Sequence, residues 1–484
     1  MIAIPSMSFQ IHNTLSRRKE EFRSLQPGIV RMYNCGPTVY SRAHIGNMRT
    51  FLLADLLRRW LELSGYEVRQ VMNITDVGHL TDDDAGEGED KIEAQARREK
   101  RDPWEISRGY TELFLSDLAK LSFVPPLVHP RASEHVPEML EMIEGLIAKG
   151  HAYRVGDDVY FDVKSFPRYG ALSGNRVAEL EAGARIAVRE EKRNPEDFAL
   201  WKSDPAHLMK WKSVFGEHGF PGWHIECSAM SRKHLGEQLD IHTGGEDNIF
   251  PHHECEIAQS EAFTGKTFAR YWMHARFLQV DGGKMSKRLG NCYSLDDVVA
   301  KGYEPRHLRY CLIRGHYRQP LNFTWGILEE CRSALESLDD FVRRLRVAAA
   351  AGGPARGEEL VAAARASFDA AMDDDLNTPS ALAAVFALRG ATLEDRLGPQ
   401  AAHAALGFLE RVHAALGVLR LEQQNLDQQV EGLIRARLAA RKAKDFAAAD
   451  RLRGELVALG IALEDTPRGV LWKRADGTGG GPIQ

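Results

Sequence analysis

The chain has 484 residues, 44% hydrophobic and 27% charged, with a formal net charge of -5. That length suggests about three domains of ordinary size, and the composition excludes wholesale disorder. No apolar run approaches membrane-spanning length, the first residues hold no apolar core with a cleavage site, and the slight acidity argues against indiscriminate coating of nucleic acid.

Six cysteines, Cys35, Cys227, Cys255, Cys292, Cys311 and Cys331, are sparse for this length and form no close CxxC pair. Reduced thiols in a cytoplasmic protein are expected, most of them small buried apolar residues.

The first third alternates strand and helix. Ile29 to Tyr33 is a short apolar strand that ends at Asn34-Cys35-Gly36-Pro37. A helix is predicted from His44–Asn47 through Tyr66, and VRQVMNITDV forms a second strand. Strand, helix and strand within about fifty residues predict a parallel unit, with ligands beyond the carboxyl ends of the strands. Cys35, His44, Thr75 and Asp76 all fall there.

From Leu121 to Lys202 the texture changes to a helix, short strands and a charged segment, read as an insertion in the parallel domain. The sheet pattern is expected to resume with GWHIECSAM and LDIHTGG. From Tyr303 the chain becomes helical, with a linker at Ala348–Gly357 and helices to about Leu421. Two more helices with a short strand follow, Gly460 being a helix stop, and the end is predicted to be a disordered tail.

Three groups of residues carry chemistry. His44-Ile45-Gly46-Asn47 opens a helix after a strand, where a helix N-terminus attracts anions and a glycine admits a close approach. Gly282-Gly283-Lys284-Met285-Ser286-Lys287 holds two lysines three apart among glycines. Such a cluster is most often a solvated turn, but its ammonium groups can also neutralise charge on a departing pyrophosphate. Finally, His252 and Glu256 stand at i and i+4 on one helical face, suited to one metal, with Cys35 and Cys227 as thiolate donors. His253 has Ile257 at i+4, so spacing favours His252. On residues alone, two core cysteines and a polar helix start remain the simpler reading.

In order, Tyr33-Asn34-Cys35-Gly36-Pro37-Thr38-Val39-Tyr40, the HIGN turn, Gly222-Trp223-His224-Ile225-Glu226-Cys227, Phe250-Pro251-His252-His253-Glu254 and the KMSK loop closely resemble the bacterial cysteinyl-tRNA synthetase family of class I aminoacyl-tRNA synthetases. The likeness runs to about Arg474. It implies an α/β fold: a Rossmann-like parallel-sheet catalytic domain over residues 1–120 and 203–302, with a connective insertion over 121–202. A stem-contact region and helical bundle would occupy 303–425, a small anticodon-binding domain 426–475, and a disordered tail 476–484. The resemblance further implies one Zn2+ held by Cys35, Cys227, His252 and Glu256. The cysteine pocket would use Cys35, Gly36, Thr38, Thr75 and Trp223. ATP, with Mg2+, would meet His44, Gly46, Asn47, Gly245, Asp247 and Lys287. His44, Asn47, Lys284 and Lys287 would be the catalytic groups. The implied partners are tRNA(Cys), L-cysteine and ATP, with no membrane, and the implied state is a monomer.

Some positions depart from the family pattern. Asn47 stands where the best-known motif has a second histidine, Arg288 follows the second lysine in place of serine, and Thr243 replaces a common glycine. Cys255, beside Glu256, either disturbs the metal site or is inert.

From Arg435 to Lys444 the chain carries Arg435, Arg437, Arg441, Lys442 and Lys444 without an acidic residue, a local basic helix face. Trp472, with Arg468, Lys473 and Arg474 nearby, suits stacking on an unpaired base. The competing reading is a solvated helix and a tryptophan closing a small core. Arg435, Arg441, Lys442 and Trp472 are assigned to tRNA on the resemblance. A ligase joining cysteine to an amino sugar of the mycothiol pathway lacks such a helical region, and a non-catalytic tRNA-binding protein would lack the lysines or metal ligands. A dinucleotide-binding oxidoreductase lacks support because no GxGxxG opens the first helix.

Overall fold

The computed structural model describes residues 9–78, 80–82, 87–175, 192–285, 289–393, 397–421, 428–466, 469–474 and 479–483. The chain divides into two compact units. One comprises residues 1–305, 315–324 and 373–376; the other comprises 306–314, 325–372 and 377–484.

The first unit is built on four parallel strands: β1 (Ile29–Asn34), β2 (Glu67–Met72), β3 (Leu239–Gly245) and β4 (Ala269–Ala275). Their order is β4-β3-β1-β2, with Met32 opposite Ile241 and Tyr33 opposite Val71. From β1 the chain moves outward one way, and from β3 the other, so the direction reverses between them. Such a reversal opens a crevice at the carboxyl ends. Helix α1 (Ile45–Leu63) joins β1 to β2 and buries Met48, Leu52, Leu56 and Trp60. Helix α2 (Trp223–Leu235) buries Ile225 and Ala229 in a core with Tyr33, Val71, Leu239 and Trp272. Helix α3 (Glu254–Thr264) packs beside α2.

The insertion holds a five-stranded antiparallel sheet made by Ala152–Val155, Asp158–Phe161, Phe198–Ser203, Trp211–Ser213 and Gly216–Pro221. Two boundaries of the sequence reading therefore move. The insertion's sheet continues to Pro221, because the last hairpin adds two strands to it. At the other end, Val128 and Arg131 pair in parallel with Val71 and Ile74, so this stretch extends the parallel sheet. Its prolines conceal that pairing from a propensity reading. GWHIECSAM is helix rather than sheet. It is buried on nearly all sides, and such a run cannot be told from a buried strand by periodicity.

The second unit is helical, with Trp325–Ala349 packed on Pro399–Leu416 and on Thr378–Leu393. Helix Trp325–Ala349 closes at the expected linker. Helices Gln428–Lys442 and Phe446–Ala458 then lead, through Gly460 with φ +74°, into a three-stranded antiparallel sheet. Its strands are Ile461–Thr466, Gly469–Arg474 and Gly479–Ile483. The last lies in the stretch expected as a disordered tail. It pairs with Gly469–Arg474, and Ile483 is buried, so backbone pairing and one apolar anchor order a segment whose glycines gave no strand signal. Among the described residues no helix is long and apolar enough to cross a membrane.

Candidate active site

The carboxyl ends of the central strands are stitched together by side chains. Asn34 Nδ2 donates to Thr243 Oγ1 at 2.6 Å, and the Cys35 amide donates to the Thr243 carbonyl at 3.2 Å. A hydroxyl at 243 thus satisfies a buried amide, which accounts for threonine there. The Gly36 amide donates to Asn73 Oδ1 at 2.8 Å, and a Cβ on Gly36 would overlap the Asn73 carbonyl oxygen. Thr38 and Thr75 lie side by side on adjoining backbones, with the Val39 amide donating to the Thr75 carbonyl at 3.1 Å. The buried Thr75 hydroxyl donates to Glu226 Oε2 at 2.9 Å. Trp223, half-buried, stacks on His252 with centroids 4.3 Å apart and planes at 24°.

Below this rim the fold joins residues that are distant in sequence. Cys35 from the end of β1, Cys227 from α2, His252 from the Ile249–His253 turn just before α3, and Glu256 from the first turn of α3 place one donor atom each within 4.8 Å of one another, all buried. His252 Nε2 lies 3.1 Å from Glu256 Oε1, while its Nδ1 meets His224 Nδ1 at 3.0 Å. A ring held by its outer nitrogen and presenting the inner one is the usual arrangement of a metal-binding histidine. Burial opposes each charge here, yet the partners prevail. The Cys35 and His252 hydrogen bonds bring the Cys227 thiol down to about 6, and His242 and His252 hold Glu256 at about 2. Cys227 and Glu256 bring His252 up to about 10, whereas burial drives the Cys35 thiol well above its usual range. Two thiols, an imidazole and a carboxylate form a donor set that fits a thiophilic divalent metal such as zinc.

A second set, Cys35, His242, His253 and Glu256, meets the same distance limit. It holds only one sulfur. His253 Nε2 lies 3.2 Å from Cys35 Sγ and its Nδ1 is 2.8 Å from His274 Nε2, while His242 Nε2 is 2.9 Å from Glu256 Oε2. The sequence reading missed this histidine shell. The adjacent His252-His253 pair was a signal, but the spacing rule set His253 aside. Cys255 belongs to neither set; it is buried, with the Tyr169 hydroxyl 3.4 Å from its sulfur.

Beside the cluster, α1 begins with a reciprocal cap. The Asn47 amide donates to His44 Nδ1 at 3.2 Å, and the His44 amide donates to Asn47 Oδ1 at 3.1 Å. Asn47 therefore makes the cap with its carboxamide oxygen, and the cap leaves the proton of neutral His44 on Nε2 as a donor. Gly46 is covered by His44 and Met285; a Cβ would sit 3.1 Å from His44 Nδ1 and 3.2 Å from Met285 Cε. Lys284 is exposed, and Asn291 Nδ2 donates to its carbonyl at 3.2 Å. Lys287 and Arg288 lie outside the described residues. Gly245 ends β3 with its amide donating to Asn248 Oδ1 at 2.8 Å, so Asn248 caps this turn and Asp247 is exposed.

Comparison with known proteins agrees with this geometry. Residues 21–333 match the model of the class I (C) tRNA synthetase catalytic domain, 367–420 that of the DALR domain, and 423–472 that of the cysteinyl-tRNA ligase anticodon-binding domain. The chain is 47% identical to the cysteine–tRNA ligase of Thermus thermophilus and 44% identical to that of Chlorobaculum tepidum. Each alignment covers 96% of this chain and 99% of the relative. The chain belongs to the cysteinyl-tRNA synthetase family. Methionyl-tRNA synthetase of Mycobacterium tuberculosis bound by methionyl-adenylate superposes with a TM-score of 0.62 at 14% identity, over 80% of this chain and 92% of that one, a likeness of fold.

The synthetase's C-terminal basic face differs from its sequence reading. Arg437 is 4% exposed and forks onto both oxygens of Asp465 at 2.7 Å. Arg441 also pairs with Asp465, Arg435 pairs with Glu431 at 2.8 Å, and Lys442 is exposed. Trp472 is 3% exposed in a core with Val430, Ile434, Leu456, Ile461, Val470 and Ile483. That burial excludes the stacking role assigned to it: a base needs an open ring face, and this ring closes the small core.

Proposed function

We propose that this chain activates L-cysteine with ATP and passes the cysteinyl group to the terminal adenosine of tRNA(Cys). The observation that carries the reading is the joining of Cys35, Cys227, His252 and Glu256 in one buried set below the rim of the crevice. Zinc held by these four residues would supply a thiophilic contact for the substrate sulfur. Shape alone separates cysteine from serine by about 1–3 kcal/mol, and a metal–thiolate contact adds discrimination that serine cannot match.

The substrate carboxylate attacks the α-phosphate of ATP, whose Mg2+ accompanies it, and pyrophosphate leaves; no side chain need become a nucleophile. His44 and Asn47 at the α1 N-terminus hold the phosphates, with His44 Nε2–H as donor. Gly46 admits the adenine, Gly245 and Asp247 meet the nucleoside, and Lys284 and Lys287 neutralise the departing pyrophosphate. Thr38, Thr75 and Trp223 shape the amino-acid pocket with Gly36. Arg435, Arg441 and Lys442 supply positive charge to tRNA. The chain works as a monomer in the cytoplasm. The test is cysteine-dependent ATP–pyrophosphate exchange together with charging of tRNA(Cys). Both should respond to cysteine and not to serine; exchange without charging would move the acceptor to a small amine, and absence of both would sink the reading.

A further inference from the structure

The chain beyond the lysine loop runs antiparallel to the HIGN turn. His44 bridges Ser294, and the Ile45 amide donates to the Tyr293 carbonyl at 2.9 Å. Asp296, in the first turn of the helix Leu295–Ala300 that starts just past this bridge, comes within reach of Arg42, two residues before His44. The two side chains meet: Arg42 Nη2 donates to Asp296 Oδ1 at 2.9 Å, and Arg42 Nη1 contacts Oδ2. The guanidinium is gripped from its other side by Asp117, with Nε to Oδ2 at 3.0 Å and Nη2 to Oδ1 at 2.6 Å. The Asp117 side chain has no exposure and that of Arg42 20%. Arg42 is thus a fixed post rather than a surface arm, and Asp296, 58% exposed, is the movable partner. Ser294 caps the short helix that carries Asp296, its hydroxyl accepting from the Asp297 amide at 3.3 Å.

We propose that Arg42 is a positioning residue: anchored on Asp117, it clasps Asp296 and holds the 292–296 segment in register against the turn that presents His44 and Asn47. The inference rests on the adenylate-forming role proposed above. A bidentate guanidinium between two carboxylates fixes orientation as well as distance. A small displacement of His44 weakens its contact as charge develops on the phosphates, so the loss should appear in kcat rather than in cysteine affinity.

The test uses the full chain with Asp296→Ala, an exposed change that spares the buried Arg42–Asp117 pair, and Asp296→Glu as the conservative variant. Asp296→Ala should lower kcat for ATP–pyrophosphate exchange about fivefold, the scale of a partly exposed ion pair, with KM for cysteine unchanged. Asp296→Glu should restore it. Hydrogen exchange of the 44–48 amides should quicken in Asp296→Ala and return in Asp296→Glu. Unchanged amide exchange in Asp296→Ala would overturn the clasp whatever the activity. A rise in KM for cysteine alongside a lowered melting temperature would also overturn it, as general loosening. If the wild-type chain shows no cysteine-dependent ATP–pyrophosphate exchange, the adenylate-forming reading fails by itself, and the amide arm still decides the clasp.

Discussion

Replacing Trp472 with alanine tests the strongest revision that the tertiary structure makes to the sequence reading. The indole is 3% exposed, its strand neighbours Leu463 and Gly480 lie directly across the sheet, and a Cβ on Gly480 would come within 3.0 Å of the ring. Removing a buried tryptophan costs about 3–5 kcal/mol. The core it closes draws on a stretch of only some fifty residues, and cores in elements that small supply about 3–5 kcal/mol in all. Trp472→Ala should therefore melt the segment from Gln428 to Ile483. Amides of Val470 and Trp472 should lose their protection in hydrogen exchange. Cysteine-dependent ATP–pyrophosphate exchange should persist, while charging of tRNA should fall. Trp472→Phe keeps most of the buried area and should retain charging. If Trp472→Ala kept full amide protection while charging failed, the packing account would be refuted and base recognition by the ring restored.

Other outcomes follow from the same contacts. Cys227→Ser should lower bound zinc, read by metal analysis, and raise KM for cysteine while leaving KM for ATP near its wild-type value. Gly36→Ala drives a methyl into the Asn73 carbonyl and should destabilise the first unit by about 1–3 kcal/mol, read as a lowered melting temperature. Lys284→Ala should lower kcat for ATP–pyrophosphate exchange about a hundredfold or more, with little change in KM for cysteine, if the exposed ammonium meets the leaving group. The hydrogen bonds from Arg437 hold Asp465 below the usual carboxylate range. A carboxylate depressed on folding contributes stability above its unfolded value of about 3.9 and loses it as pH falls through the folded value. The melting temperature of the C-terminal segment should therefore fall below pH about 4, and Arg437→Met should flatten that fall.

Legibility in the sequence followed the range of the interactions. The parallel unit, the HIGN turn at the head of α1 and the His252–Glu256 pair were readable because each is local: an alternation, a cap, a one-turn spacing. The place of Cys35 at a strand end was readable too, since chain connectivity alone puts it in the crevice. The union of Cys35 with Cys227 was legible only through resemblance to a family, because two cysteines 192 positions apart carry no spacing information.

What the sequence determined by itself was thus the order of the elements, the helix start that faces the crevice, and the kinds of side chain available to hold a metal. Tertiary structure decided which of those side chains share a point in space. It ringed the metal set with His224, His242, His253 and His274, put Cys255 into the core, extended the insertion's sheet to Pro221, and turned Gly479–Ile483 into a strand that helps bury Trp472. The reason is common to all four. Burial and cross-strand pairing are properties of two or more segments at once, and neither an aromatic between basic neighbours nor a run of glycines records which surface will close over it.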